Sequence, residues 1–121
     1  MINGHEEETQ ELSAEEILLA TNLIPSFKNR TKENPIKAKD IVSGVNKAYD
    51  LKTKFTDVRL RKIINYYRVN AIIPIISTSK GYFVSYLDAD IEAMIVSLSQ
   101  RAKSISDCCD GLTRILDKNR I

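Results

Sequence analysis

Residues Thr56 to Val84 read TDVRLRKIINYYRVNAIIPIISTSKGYFV, a stretch with helical spacing in its first half and hairpin chemistry in its second. Thr56 suits an N-cap, since its hydroxyl can accept one of the orphan N–H groups of a helix start, and Asp57 suits the positive end of the helix dipole. At roughly 100° per residue, Leu60, Ile63, Ile64, Tyr67 and Ala71 gather on about a third of the circumference. Arg61, Lys62, Asn65 and Arg68 fall outside that face, and Arg59 flanks it. Guanidinium and amide side chains are the groups that bond guanine and adenine edges in a major groove, although an ordinary solvated face carries the same residues. Ile72 to Ser77 then form a β-branched run with Pro74 near its start, where a missing N–H is tolerated. Thr78, Ser79, Lys80 and Gly81 read as a turn, and Tyr82, Phe83 and Val84 as a second strand. The hydroxyls and the lysine of that turn suit contact with a phosphate backbone, which positions a protein on DNA without specifying sequence. A phosphate-cradling P-loop is excluded because its glycine, lysine and hydroxyl spacing is absent.

Upstream, Ser13 and Glu16 have capping-box spacing. Ala14, Ile17, Leu18 and Thr21 follow the i, i+3, i+4, i+7 rule, and Pro25 predicts an end near Leu23 or Ile24. Ser26 to Pro35 reads as a loop and Ile36 as a short strand against the later hairpin. Ala38, Ile41, Val42, Val45, Ala48 and Tyr49 trace a second helix to about Asp50, with Gly44 a weak point inside it. Lys37, Lys39 and Lys47 lie off its apolar face, and Leu51 to Phe55 connect it to Thr56. Residues 1–11 are polar and acidic without periodicity and are expected to be a disordered lead-in, with His5 inert there.

Downstream, Asp88 can cap a helix that keeps its pattern through about Leu116. Ile91, Ile95, Leu98, Ala102, Ile105, Cys109, Leu112 and Leu116 alternate spacings of four and three, a heptad seam. About 28 residues at 1.5 Å each span ~40 Å, more than a small domain covers, so the seam predicts a parallel or antiparallel homodimer; the alternative is that Met94, Ile95 and Leu98 pack on the first helix while the rest folds back or frays, with Gly111 as a break.

The chain has 121 residues, 43% hydrophobic and 28% charged, which fits one folded domain plus an extension rather than a disordered chain. Its net charge of +2 hides a strong asymmetry. Residues 1–27 carry six acids and no Lys or Arg, for −6; residues 28–80 carry thirteen basic and four acidic groups, for +9; residues 81–121 carry five and six, for −1. A concentrated positive middle is what phosphate binding requires, because each neutralised phosphate releases counterions. No apolar run approaches the ~20 residues that span a bilayer, and no secretory leader is visible, so a cytoplasmic location and no membrane contact are expected. Cys108 and Cys109 are adjacent, which gives neither a disulfide framework nor metal-ligand spacing, and buried or half-buried reduced thiols are expected.

Three helices followed by a hairpin is winged-helix order, and the residues also resemble a known group. Ile36-Lys37-Ala38-Lys39-Asp40-Ile41 resembles the start of the second helix in winged helix-turn-helix domains of the biotin-repressor type, including many small phage-encoded proteins. Leu60 to Arg68 resembles their recognition helix, and Ile73 to Val84, with its Lys80-Gly81-Tyr82 step, resembles their wing. The resemblance implies DNA contacts from Arg61, Lys62, Asn65, Arg68 and Lys80. The turn from Leu51 to Phe55 is longer than the group's, and Asn70-Ala71 stands where Asn-Gly is usual, so Asn70 or an adjusted backbone must stop the helix.

The expected fold class is therefore mainly α with a small β-hairpin: a winged helix-turn-helix (three helices plus wing) followed by a long C-terminal helix. The expected divisions are a lead-in 1–11, a DNA-binding domain 12–87 and a helix 88–118. The expected function is sequence-specific or structure-selective double-stranded DNA binding by helix 56–70 and wing 75–84, as a phage or mobile-element transcription or replication regulator. Candidate DNA contacts are Lys37, Lys39, Arg59, Arg61, Lys62, Asn65, Arg68, Ser77, Ser79 and Lys80; candidate dimer contacts are Ile95, Leu98, Ala102, Ile105, Cys109, Leu112 and Leu116. The alternative is a winged-helix module that inhibits or adapts a host protein. No carboxylate pair, metal cluster or nucleophile with a base stands out, so neither enzymatic activity nor a cofactor or metal is expected.

Overall fold

A computed structural model describes residues 10–120. The chain divides into two compact units at the Tyr86–Leu87 junction. Among the described residues the order is α1 (Ala14–Lys28), α2 (Ala38–Ala48), α3 (Asp57–Val69), β1 (Ile75–Thr78), β2 (Gly81–Val84) and α4 (Asp88–Asn119). The fold class is thus mainly α, with a two-stranded antiparallel hairpin and a long last helix. His5 and most of the acidic lead-in lie outside the described residues. Gln10 and Glu11, the end of the stretch expected to be disordered, are placed, and Leu12 packs half-buried against the core.

The expected capping box opens α1: Glu16 N donates to Ser13 Oγ at 3.2 Å and Ser13 N donates to Glu16 Oε1 at 2.9 Å. Two readings of α1 are corrected. The helix does not stop before Pro25 but runs through it to Lys28. Pro25 removes the donor for the Thr21 carbonyl, and both residues lie on the exposed face, where water can take that carbonyl. Continuing the helix buries Phe27 edge-on to Tyr67, with ring centroids 5.8 Å apart at 78°. The buried stripe is Glu16, Leu19, Ala20, Leu23 and Phe27, whereas Ala14, Ile17, Leu18 and Thr21 are exposed. A helix cut at Ile24 loses Phe27, the residue that makes the true stripe the longer of the two.

Ile41 and Val45 anchor α2, which ends two residues before Asp50, and Gly44 sits on its exposed side. The hairpin pairs Ile75 with Val84 through Thr78 with Gly81, leaving a two-residue turn of Ser79 and Lys80. Its first strand starts at Ile75 rather than Ile72. Ile36 adds one bridge on the outer side of β2: Ile36 N donates to Tyr82 O at 2.9 Å and Tyr82 N to Ile36 O at 2.8 Å. Gly81 makes that approach feasible. Its φ is +131°, and a Cβ there would lie 2.5 Å from the Ile36 carbonyl oxygen.

Thr56 caps α3 as expected, accepting from Arg59 N at 3.3 Å. At the other end Ala71 N donates to Arg68 O at 3.2 Å and Ile72 N to Tyr67 O at 2.9 Å, the paired bonds of a Schellman ending. The left-handed position falls on Ala71 itself, at φ 52°, where glycine is the usual residue. Leu60, Ile63, Ile64 and Tyr67 bury the inner face of α3 against Leu19, Leu23, Phe27, Ile41, Val45 and Phe55, with Ile73 and Ile75 completing the cluster.

α4 is continuous over 32 residues. Asp88 does not cap it: Leu87 holds the cap position without a side-chain bond, and Asp88 and Asp90 lie in the first turn, where their charge suits the dipole. Gly111 does not break the helix. Cys108 and Cys109 are free thiols, and both are exposed rather than buried. No helix among the described residues is long and apolar enough to cross a membrane.

Candidate nucleic-acid interface

Two of the candidate DNA contacts are interior residues. Glu16 is buried, and its carboxylate accepts from Arg59 Nε at 2.8 Å and from Lys62 Nζ at 2.9 Å; the side chains of Arg59, Lys62 and Glu16 are 5%, 3% and 1% exposed. Arg59 also pairs with Glu15 at 3.2 Å and donates to the carbonyls of Thr53 at 2.6 Å and Lys54 at 3.2 Å. Burial alone would raise the Glu16 pKa, but the Arg59, Ser13 and Lys62 bonds outweigh it and hold the carboxyl down at about 2. Arg59 and Lys62 therefore leave the set of DNA contacts, because burial and their counterion occupy them. What they do instead is join α1, α3 and the long turn before α3.

That turn is fixed from a second side. Asn46 Nδ2 donates to Phe55 O and Phe55 N donates to Asn46 Oδ1, both at 2.9 Å, while the Phe55 ring is fully buried under Arg59. The amide imitates a strand partner for one residue. The extra length of this turn is consequently not slack: Asn46, Arg59 and Glu16 set where α3 starts.

The outward face of α3 is one i, i+4 strip of Asp57, Arg61, Asn65 and Val69, all exposed. Arg61 stays at the surface, 3.3 Å from Asp57. Asn65 borders a shallow groove with Leu12, Ile17, Tyr66 and Val69 on the α1 side. On the α2 side, Lys39, Lys47 and Lys54 line an open groove with Ser43, Asn46 and Asp57. Lys47, which periodicity puts off the apolar face of α2, and Lys54 join the candidate contacts here. Each reads as ordinary surface charge in its own segment, and only the docking of the turn onto Asn46 brings them together.

Arg68 and Ser77 form a joint rather than a surface. Arg68 Nε donates to Ile75 O and its Nη2 to Ser77 Oγ, both at 3.2 Å, tying α3 to β1 with both residues half-buried. Ser79 and Lys80 are exposed at the hairpin tip. The next residue, Gly81, lies against the backbone of Ile36 and Lys37, so the tip stands beside the start of α2, where Lys37 and Lys39 are exposed. The groove, the start of α2 and the hairpin tip thus share one bonded frame. Eleven of the thirteen basic residues in 28–80 remain outside the interior, against four acids, so burial of two cations leaves that segment at +7.

Among the described residues no group of His, Cys, Asp and Glu is placed to hold a metal ion. No protein-family model, curated protein or solved structure matches the chain.

Proposed function

We propose that the N-terminal unit binds double-stranded DNA as a winged helix-turn-helix of the biotin-repressor type, and that the chain acts in the cytoplasm as a dimeric regulator of transcription or replication for a phage or mobile element. α3 would enter the major groove with Arg61 and Asn65, while Lys37, Lys39, Lys47, Lys54, Ser79 and Lys80 would meet the flanking phosphates. The observation that carries this reading is that Lys39, Lys47 and Lys54 line one open groove, while the Asn46–Phe55 and Ile36–Tyr82 bonds tie the turn and the hairpin to the ends of α2. A flexible set of surface lysines loses side-chain and loop entropy on meeting a duplex, whereas a preset frame loses less. The heptad seam of α4 supports the dimer, and a dimer favours paired half-sites.

One feature favours the alternative of a protein-binding module. Ile17 and Val69, 43% and 73% exposed, line one groove beside Asn65 and offer a protein partner apolar surface to cover. Selection of bound fragments from a random duplex pool, followed by sequencing, separates the two. A recovered motif supports DNA reading and recovery without a motif supports sequence-independent binding. Failure to recover DNA at low salt refutes both and leaves the protein-binding module.

A further inference from the structure

The seam of α4 is open along most of its length: Ile95, Ile105, Leu112 and Leu116 are 56%, 59%, 67% and 49% exposed. From Ile91 to Leu116 no seam position holds a charged residue, and Lys103, Asp107, Asp110 and Arg114 all lie on the opposite side of the helix. The positions flanking the seam, which set partner choice in coiled coils through their charges, are Glu92, Ser99, Ser106 and Thr113 on one side and Met94, Arg101, Cys108 and Ile115 on the other, Met94 being buried and the rest exposed. Thr113 donates its hydroxyl to the Cys109 carbonyl at 2.8 Å. With one acid, Glu92, and one base, Arg101, on opposite flanks, the helix carries little charge code for a different helix, and self-pairing sets no two like charges directly opposite each other.

The seam also records an orientation. Its a positions are Ile95, Ala102, Cys109 and Leu116, and its d positions are Ile91, Leu98, Ile105 and Leu112. In a parallel, in-register pair Ala102 faces Ala102 and Cys109 faces Cys109, so two central layers are thin while their neighbours are thick. Cores pack at uniform density, and thin layers leave voids. In an antiparallel pair each layer combines one a and one d side chain.

We infer that α4 pairs with α4 of a second copy in antiparallel register, with Ala102 opposite Ile105, Cys109 opposite Leu98, Ile95 opposite Leu112 and Leu116 opposite Ile91 of that copy. This inference rests on the dimer proposed above and adds its geometry. Every layer then holds at least one large aliphatic side chain, and all eight seam residues find a partner. Ile95, Ile105, Leu112, Ile115 and Leu116 each offer on the order of 100 Å² of apolar surface. The pair of helices thus removes roughly 1,000 Å² through these residues alone, near the ~1,200 Å² at which stable interfaces begin, and Leu98, Ala102 and Cys109 add to it. The same register sets the two Leu87 residues about 50 Å apart along the helices, rather than side by side.

Cysteine cross-linking of the full chain with oxidised glutathione as electron acceptor tests the register. In Cys108→Ser the remaining thiol, Cys109, lies about 16 Å along the axis from its own copy, so no covalent dimer forms. Adding Leu98→Cys places a thiol opposite Cys109, and the band on a non-reducing gel shifts from monomer to dimer. Ile95→Cys with Leu112→Cys, with both native cysteines changed to Ser, gives the same shift independently, whereas either introduced cysteine alone does not. Cross-linking of Cys108→Ser by itself would mean a parallel pair and overturn the register while keeping the dimer. A dimer mass by sedimentation without cross-linking of either designed pair also overturns it. A monomer mass at tens of micromolar removes the dimer as well, and leaves the DNA-binding reading to the pool selection.

Discussion

Replacing Glu16 by Gln leaves Arg59 and Lys62 inside the protein without the carboxylate that both of them bond. Arg59 keeps Glu15 and the Thr53 and Lys54 carbonyls, while Lys62 loses its 2.9 Å bond to the Glu16 carboxylate. Removing one partner of a buried ion pair costs about 3–5 kcal/mol. The titration of Glu16 gives a consistent figure: a carboxyl lowered from 4.5 to about 2 contributes roughly 3 kcal/mol to folding at neutral pH. Because the folded pKa is the depressed one, this contribution is complete above about pH 4.5 and fades as pH falls towards 2. Urea unfolding of the wild type and Glu16→Gln should therefore differ by about 3 kcal/mol at pH 7, and the difference should shrink steadily below pH 4.5. Other carboxylates titrate in both proteins and cancel. A difference under about 1 kcal/mol, or one that is the same at pH 7 and pH 3, would refute the claim that this cluster holds α1, α3 and the turn together.

Ala71→Gly relieves the left-handed strain at the end of α3 and, after the greater chain entropy of glycine, should stabilise by about 0.5–1 kcal/mol, a Tm rise of roughly 3–5 °C; a lower Tm would show that Ala71 is unstrained. Gly81→Ala meets both a φ of +131° and the Ile36 carbonyl, so it should cost about 2–3 kcal/mol and remove the amide-exchange protection of Ile36 and Tyr82. Retained protection at both amides would contradict the close approach. Lys62→Met replaces an interior cation by an apolar chain of similar length; at a salt concentration where the protein stays folded by circular dichroism, its affinity for duplex DNA should match the wild type, and a loss comparable to that of Lys54→Ala would return Lys62 to the surface.

The order of elements was legible because caps and periods are local. Ser13 with Glu16, Thr56 with Asp57, and the Lys80-Gly81 turn each announce a boundary within four residues. The interior cations were not legible for the opposite reason. Lys62 lies well off the apolar face of its own helix, and a period analysis sends such a residue to solvent; its counterion is 46 residues earlier in sequence. The signal available was Glu16 itself, which stands in register with Leu19, Ala20, Leu23 and Phe27 on α1. Ending the helix before Pro25 hides that register, because Phe27 then falls outside the helix. The shared groove of Lys47 and Lys54 is not legible in sequence because it depends on the Asn46–Phe55 bonds, a contact between a helix and a turn that neither segment shows alone. The long helix α4, in contrast, is a one-dimensional pattern legible from Asp88 through Leu116, although Cys108 and Cys109 are exposed on it where burial is expected.

The most direct test of the DNA-binding frame is the salt dependence of duplex affinity, measured by fluorescence anisotropy on the wild type and on Lys39→Ala/Lys54→Ala/Lys80→Ala. Each phosphate contact contributes about 0.9 to the slope of log K against log salt, so the triple variant should bind more weakly with a slope shallower by roughly 2.7. The same slope in both proteins, or no binding by the wild type at low salt, would contradict the frame of lysines on which the proposed function stands.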